Sequence, residues 1–242
     1  MTWWYAVIES RHELQNPTSA DKIRLLGDRL GLGPHSRVLD LAAGRGGPAL
    51  LLAREFGCRI TCVERAPEFA AAAARRVEAA GLTALVEVIQ ADARTFRPER
   101  EAYDAALCLG ASFVWDGVAG TVAALAPAVR PGGFVVLGEP YWRTWPLPDG
   151  FRVEDGEDFV TLPRTVERIE RTGLDVVSLI ASSEDDWDRY ESLRWLTLDE
   201  WLAANPDDPQ AEEFRALGRR HRDRYLRWTR ELLGWAIFVA RT

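Results

Sequence analysis

The chain has 242 residues, with 30 Lys and Arg against 37 Asp and Glu, and a formal net charge of −7. This acidic balance argues against non-specific binding to nucleic acids or to anionic membranes, because both require positive charge on the protein. Hydrophobic residues make up 47% of the chain, which is enough for the core of one large domain. No apolar run reaches the ~18 residues that cross a bilayer, and no basic and apolar leader opens the chain. We therefore expect a cytoplasmic protein.

The three cysteines predict neither a disulfide framework nor a metal site. Cys58, Cys62 and Cys108 are an odd number in a long chain, which is typical of reduced thiols in the cytoplasm. No pair has C-x-x-C spacing, and the three histidines lie far from the cysteines in the sequence. We expect no bound metal.

Helices and strands alternate through most of the chain. A turn at 16–18 opens a helix that ends near Gly31. The predicted strands cover 37–42, 59–64, 85–90, 104–109, 134–138 and 174–181. The predicted helices between them cover 48–56, 67–80, 117–129 and 163–171. This alternation predicts βαβ units and a doubly wound, mainly parallel sheet of the α/β class.

The last part of the chain departs from this rhythm. Residues 182–232 are mostly helical, and the apolar run 235–240 predicts a closing strand. A hairpin between two strands needs only a few residues, so the long insertion predicts a helical cap over the sheet. We divide the chain into an N-terminal helical segment, a ligand-binding core, the cap and a final strand, at 1–34, 35–181, 182–232 and 233–242.

The strongest chemical signal is the glycine-rich stretch VLDLAAGRGG at 38–47. A strand runs into this turn and a helix follows at once. Glycines let the backbone approach a ligand closely, and the helix start offers free N–H groups. The spacing of Ala42, Gly44 and Gly46 fits an alternate-glycine loop, but Ala42, Gly44 and Gly47 also fit a degenerate dinucleotide fingerprint. A tight turn without a ligand is a third interpretation.

Three carboxylates favour one kind of ligand. Asp40 ends the first strand, Glu64 ends the second, and Asp92 follows the third. Carboxylates at these positions can face a cation, hold ribose hydroxyls and accept from the amine of a base, whereas they repel phosphate. Asp92 equally fits a plain loop cap. Together they suit a cationic, phosphate-free nucleoside better than NAD.

These residues resemble class I S-adenosylmethionine-dependent methyltransferases. The resemblance includes the loop at 40–46, the acidic strand end at Glu64, the Ala-Asp-Ala step at 91–93 and the Arg-Pro-Gly-Gly step at 130–133. Further stretches are similar to a group of poorly characterised bacterial methyltransferases, which we expect to act on small molecules. These stretches are 9–17, 138–142, 186–190, 205–208 and 233–235. The resemblance implies a seven-stranded sheet with an antiparallel last strand, and S-adenosyl-L-methionine as cofactor.

The resemblance also implies the contacts to the amino acid end of the cofactor. Ala42, Gly44 and Gly46 would cradle this end, and Asp40 would orient the loop. The family usually has glycine where this chain has Ala42. We expect some lost room at that position but no loss of binding.

The nucleoside contacts follow in the same way. Glu64 would hold the ribose, Arg65 would flank the adenine, and Asp92 with Ala93 would meet the adenine edge. Two residues at the end of the fourth predicted strand would pass close to the methionine portion, namely Leu109 and Gly110.

Candidates on the acceptor side are few. His12, on a segment that often folds over the cofactor in this family, could act as a base near neutral pH. Glu139 ends the fifth strand and is followed by Tyr141. Each also fits a structural role, as a satisfied histidine or as a carboxylate packed with aromatic rings. Ten tryptophans either line an acceptor pocket or attach the cap to the core.

The sequence thus predicts methyl transfer to a small-molecule acceptor, with no nucleic-acid or membrane partner. Three alternatives stay open. The first is an NAD(P)-dependent oxidoreductase, which Asp40, Asp92 and the Pro-Gly-Gly step disfavour. The second is a methyltransferase that acts on RNA or protein, and the net charge of −7 disfavours RNA as its substrate. The third is a protein that binds the cofactor without turnover.

Overall fold

A computed structural model describes residues 3–242. The strands are β1 (Arg37–Leu41), β2 (Arg59–Glu64), β3 (Val86–Gln90), β4 (Tyr103–Leu109), β5 (Val129–Trp142), β6 (Asp175–Ala181) and β7 (Leu233–Arg241). The helices are α1 (Trp4–Ile8), α2 (Ala20–Leu30), α3 (Gly47–Phe56), α4 (Pro67–Ala79), α5 (Val118–Leu125), α6 (Leu162–Glu170), α7 (Glu184–Ala204), α8 (Ala211–Arg224) and α9 (Arg230–Leu232). Short 3₁₀ turns cover Ser112–Trp115 and Ala126–Ala128, and a π-helical turn covers Tyr225–Thr229.

All seven strands form one sheet, in the order β3-β2-β1-β4-β5-β7-β6. Strands β1 to β5 pair in parallel, whereas β7 runs antiparallel to both of its neighbours, β5 and β6. The order reverses beside β1, which leaves a crevice between the carboxyl ends of β1 and β4, where ligands bind in such sheets. The predicted α/β fold, with its antiparallel last strand, is confirmed.

Helices cover both faces of the sheet, because the strands are apolar on both sides. Val38 packs with Ile23 of α2 in one buried cluster. Its neighbour Leu39 packs with Leu125 of α5 and Ile169 of α6 in the other. Successive side chains of β1 therefore enter opposite layers of the core, as the pleat requires.

The boundaries around β5 differ from the prediction. The helix predicted over 117–129 ends at Leu125, because Pro127 cannot continue it. The strand predicted over 134–138 begins at Val129 and runs to Trp142, so it is much longer. Residues 130–133 bulge out of the ladder, since the pairing of β4 jumps from Val129 to Phe134. The last residues of β5 pair with β7, a partner that is distant in the sequence.

The insertion between β6 and β7 is helical. Its first helix, α7, begins with a capping box in which Ser183 and Asp186 satisfy each other's backbone N–H groups. Ring contacts join the insertion to β5: Trp142 packs edge-on against Phe151, and Phe151 packs against Trp228. These contacts support the attaching role for two of the tryptophans. In the described part of the chain, the helices all lack the combination of length and apolar character that spans a bilayer.

Candidate functional site

The glycine-rich loop turns sharply between β1 and α3. Ala42, Gly44 and Gly46 all have left-handed backbones, with φ of 58°, 57° and 71°. Glycine adopts this region freely, whereas alanine does so at a cost. Gly46 is the residue before α3, whose first turn contains Pro48. The first N–H groups of α3 therefore face the crevice at the carboxyl edge of the sheet.

Glu64, the last residue of β2, holds this loop in place. Its Oε2 accepts from the backbone N–H of Gly44 at 2.9 Å, and its Oε1 accepts from the N–H of Ala66 at 2.7 Å. The side chain is 8% exposed. A carboxylate has about four lone-pair positions, so these two bonds leave Glu64 able to accept from ligand hydroxyls as well.

Asp40 is a buried carboxylate at the same edge, 3% exposed. No residue between 3 and 242 donates a hydrogen bond to its side chain. Burial and the nearby charge of Glu64 raise its pKa to about 7. Two carboxylates this close repel each other, so the site favours a cationic ligand and disfavours phosphate.

The residues predicted to meet the adenine lie after β2 and β3. Asp92 is already engaged, because both of its carboxylate oxygens accept from the Arg94 guanidinium at 2.6–3.1 Å. These hydrogen bonds lower the pKa of Asp92 to about 2. Ala93 packs into the core, and Arg65 is exposed.

The segment at 9–18 lies over the glycine loop. Gln15 Oε1 accepts from the backbone N–H of Arg45 at 2.6 Å. The next residue, Asn16, donates from Nδ2 to the carbonyl oxygen of Leu109 at 3.0 Å. Two consecutive side chains thus bridge the loop after β1 and the end of β4, beside Gly110. Sequence reasoning missed both residues, although the stretch at 9–17 was part of the resemblance.

Helix α7 fixes this segment through a buried polar network. The single hydroxyl proton of Tyr190 is shared between two acceptors, Glu9 Oε1 at 2.9 Å and the Gln15 carbonyl oxygen at 3.2 Å. Arg194 forms ion pairs with Glu9 and with Glu191. The network joins a cap helix to the residues that touch the glycine loop.

His12 belongs to the same network and is 3% exposed. Its Nε2 lies 2.9 Å from the carbonyl oxygen of Tyr190, so the bond assigns the proton to this nitrogen. Its Nδ1 lies 3.8 Å from Glu9 Oε2, and neither atom has a hydrogen-bond partner among residues 3–242. Burial lowers the pKa of His12, so the ring is neutral at pH 7.

Glu139 lies one residue beyond the point where β4 ends, since Leu109 pairs with Gly138. It is 6% exposed, and its Oε2 accepts from the Ser112 hydroxyl at 2.9 Å. Its Oε1 has no hydrogen-bond partner within the described chain. Burial raises the pKa of Glu139 to about 7, although the bond from Ser112 opposes the shift. Tyr141, two residues further along β5, is also buried.

Comparisons with known proteins decide the family. A model of a methyltransferase domain matches residues 38–133. A methyltransferase from Thiobacillus denitrificans, described as dependent on S-adenosylmethionine and solved with S-adenosyl-L-homocysteine, is 37% identical, with a TM-score of 0.90 over 99% of this chain and 98% of that one. The corresponding structure from Geobacter sulfurreducens, with the same ligand, is 38% identical, with a TM-score of 0.91 over the same shares. The chain is a class I S-adenosylmethionine-dependent methyltransferase.

A curated relative extends the comparison over the whole described fold. The methyltransferase is 37% identical to the uncharacterized protein YjhP of Escherichia coli strain K12 over 239 residues. The match covers 97% of this chain and 96% of that protein. The N-terminal segment, the core and the cap are therefore all shared with this relative.

The residues of the methyltransferase fit its cofactor, S-adenosyl-L-methionine. This ligand carries a net positive charge and no phosphate, which matches the uncompensated carboxylate of Asp40 beside Glu64. Gly44 and Gly46 have no side chains of their own, so other groups can approach the backbone of the loop closely. No group of three or more His, Cys, Asp or Glu side chains in the described part of the methyltransferase could hold a metal ion.

Proposed function

We propose that this methyltransferase acts on a small-molecule acceptor. The main support is that the N-terminal segment covers the crevice. Gln15 and Asn16 bridge the glycine loop and the end of β4, and the network around Arg194 holds them there. A covered crevice admits a small molecule more readily than a folded macromolecule. The net charge of −7 also disfavours RNA as the acceptor.

The proposed cofactor contacts follow the predicted residues. Ala42, Gly44 and Gly46 cradle the amino acid end, with Asp40 orienting the loop. The end of β4 passes the methionine portion at Leu109 and Gly110. The nucleoside end is assigned to Glu64, Arg65, Asp92 and Ala93. Asp92 keeps this role only if its oxygens accept from the adenine amine in addition to Arg94.

Two groups are candidates for the base that takes a proton from the acceptor. When bound, the cofactor supplies an electrophilic methyl group, so the protein has to position the acceptor, exclude water and remove a proton. Glu139 fits this task best, because a pKa of about 7 lets Oε1 accept a proton near neutral pH. Tyr141 would line the acceptor side. His12 stays a second candidate, with its neutral ring and its free Nδ1, but Nε2 is already engaged.

Titration calorimetry with S-adenosylmethionine, S-adenosylhomocysteine and NADH tests the binding half of the proposal. We expect micromolar binding of the first two and none of NADH. Glu64→Ala and Gly44→Val should abolish binding while the fold is kept, because the first frees the loop and the second forces a β-branched residue to φ 57°. Unchanged affinity in both variants would contradict the assigned site.

A screen of alcohols, phenols, amines and thiols for formation of S-adenosylhomocysteine tests the acceptor half. With an acceptor in hand, Glu139→Gln should lower kcat about 100-fold or more, as for the loss of a general base, with little change in cofactor affinity. His12→Ala should change turnover less than Glu139→Gln; the reverse order would make His12 the base. Methylation of RNA or protein alone would overturn the small-molecule proposal. Tight binding of the cofactor with no product on any acceptor would support a purely binding protein instead.

We also propose that the protein acts in the cytoplasm. Cys58, Cys62 and Cys108 are free and buried, which suits a reducing compartment.

A further inference from the structure

Gln15 and Asn16 each use only one half of the side-chain amide within the protein. Gln15 is half-buried and accepts through Oε1 from the N–H of Arg45. Asn16 is half-buried and donates through Nδ2 to the carbonyl of Leu109. Neither the Nε2 of Gln15 nor the Oδ1 of Asn16 has a hydrogen-bond partner among residues 3–242.

The backbone partners fix the orientation of both amides. A backbone N–H needs an oxygen acceptor, so the oxygen of Gln15 faces Arg45. A backbone carbonyl needs an N–H donor, so the nitrogen of Asn16 faces Leu109. The group that remains on Gln15 is therefore a donor, and the group that remains on Asn16 is an acceptor.

This donor and acceptor stand at the two walls of the crevice. A Cβ at Gly44 would overlap Gln15 Oε1, and a Cβ at Gly110 would overlap Asn16 Oδ1. The two glycines thus let the amides lie directly on the loop after β1 and on the end of β4. Tyr190 holds the segment from the other side through the carbonyl of Gln15.

We propose that Gln15 and Asn16 bind the zwitterionic amino acid end of S-adenosylmethionine. Gln15 Nε2 donates to its α-carboxylate, and Asn16 Oδ1 accepts from its α-ammonium. Positive groups lie close to the Gln15 side. Arg76 donates to the carbonyl oxygen of Arg45 at 2.8 Å, and the charges of Arg75 and Arg76 both act on Arg45, with the charge of Glu9 opposing them. Three guanidinium groups therefore lie near Gln15, where they can balance the charge of a bound carboxylate. The inference rests on the cofactor of the family and is independent of the proposed acceptor.

The first test compares S-adenosylmethionine with decarboxylated S-adenosylmethionine, which differs only in the carboxylate. Gln15→Glu keeps an oxygen for the N–H of Arg45 but replaces the free donor with a negative acceptor. We expect calorimetry to show S-adenosylmethionine bound at least about tenfold more weakly, as for a lost bond to a charged group. The decarboxylated ligand should bind as well as or better than it binds to the wild type.

Two further variants keep this test decisive. Gln15→Met removes the donors without adding charge, but it also removes the oxygen that accepts from the N–H of Arg45. It should therefore weaken both ligands somewhat, and S-adenosylmethionine at least about tenfold more than the decarboxylated ligand. Gln210→Glu adds the same negative charge at the residue before α8 and should change neither affinity. Equal weakening of both ligands by Gln15→Met would overturn the proposal, because a merely structural role moves both. Unchanged affinity for S-adenosylmethionine in both Gln15 variants would overturn it as well.

The second test addresses Asn16 with 5′-methylthioadenosine, which lacks the whole amino acid end. Asn16→Leu should weaken S-adenosylhomocysteine about tenfold and leave 5′-methylthioadenosine within about twofold of the wild type. Asn205→Leu is the matched control, because Asn205 also donates from Nδ2 to a backbone carbonyl, that of Trp201. A parallel loss for both ligands would reject the role of Asn16, whereas the small-molecule acceptor would stand or fall separately in the acceptor screen.

Discussion

Ala42 occupies a left-handed backbone conformation, with φ of 58°, in the glycine-rich loop between β1 and α3. The Cβ of an L-residue costs roughly 1–2 kcal/mol in this region. The neighbouring positions Gly44 and Gly46 adopt the same region as glycines. The backbone at Ala42 is therefore strained, and the surrounding fold keeps it in this conformation. This strain lowers the free energy of unfolding.

Replacing Ala42 by glycine should therefore stabilise the protein. We expect Ala42→Gly to raise the free energy of unfolding by about 1 kcal/mol, because relief of strain exceeds the added entropy of the unfolded chain. Urea denaturation measures the change. Ala74→Gly, at an exposed position within α4, is the control and should lower the free energy by about 1 kcal/mol. A loss of stability in Ala42→Gly would contradict the strain argument.

Asp40 should make cofactor binding depend on pH. Its raised pKa of about 7 means that the carboxyl is protonated and neutral at pH 5.5. As pH rises towards 7.5 the group becomes a carboxylate, so attraction to a cationic ligand grows. Affinity for S-adenosylmethionine should rise with pH, by at most about tenfold per unit. The α-ammonium of the ligand, whose ordinary pKa is about 7.7–8.0, begins to lose its proton only at the upper end of this range, so the rise in affinity should be steepest below about pH 7.

Calorimetry at several pH values checks this dependence. Asp40→Asn should flatten the slope, whereas Glu139→Gln, whose parent carboxyl also has a pKa of about 7, should keep it. S-Adenosylhomocysteine lacks the positive sulfur and should show a smaller slope than S-adenosylmethionine. A slope that survives in Asp40→Asn would assign the titration to another group.

At the scale of elements, the N-terminal segment depends on α7. Arg194 lies between the carboxylates of Glu9 and Glu191, and all three side chains are at most 19% exposed. A buried ion pair contributes little net stability when complete, but removing one partner leaves an uncompensated charge. The charge of Arg194 is thus needed to hold the segment at 9–18 against the glycine loop.

Arg194→Met should lower the free energy of unfolding by about 3–5 kcal/mol, the usual cost of a buried charge without its partner. Chemical denaturation measures the loss. Arg215→Met removes the same charge from an exposed pair with Glu212 on α8 and should cost less than about 1 kcal/mol. Similar losses in the two variants would mean that the buried network does not hold the segment.

The order of the helices and strands could be predicted from the sequence, but the length of one strand could not. The order of strands and helices follows from local periodicity, so the alternation and the doubly wound fold could be predicted. The length of β5 could not, because Trp142 extends the strand by pairing with Leu233, about 90 residues away, and by a bridge to Thr161. Residues 130–133 likewise carry Gly and Pro that read locally as a turn, yet they bulge within one strand.

The site divides in the same way. The glycine loop and the carboxylates Asp40 and Glu64 have local signatures, a strand end followed by small residues, and the structure brings them together. Gln15 has no such signature, since its place on the loop depends on a hydrogen bond with Arg45, 30 positions away. His12 was conspicuous for its chemistry, but the sequence could not reveal that the carbonyl of Tyr190 engages it.

At the scale of the whole molecule, the crevice is formed by segments that are distant in the sequence. The N-terminal segment, the loop after β1, the end of β4 and helix α7 meet there, because β1 and β4 are adjacent in the sheet and the cap returns over them. Ligand binding to the loop should therefore order regions that do not touch the ligand. The strand β6 lies at the far edge of the sheet, separated from β4 by β5 and β7.

Hydrogen exchange with mass spectrometry tests this coupling. Near-saturating S-adenosylhomocysteine, at 100 times its Kd, stabilises the folded state by about 2.7 kcal/mol. Among amides that exchange by local opening, we expect slower exchange at 42–47, at 9–18 and around Tyr190 in α7, and no change in β6. Glu64→Ala should show no ligand dependence anywhere. Protection confined to 42–47 would mean that the N-terminal segment and α7 stay independent of the cofactor, because a segment held by the loop must exchange more slowly when the loop does.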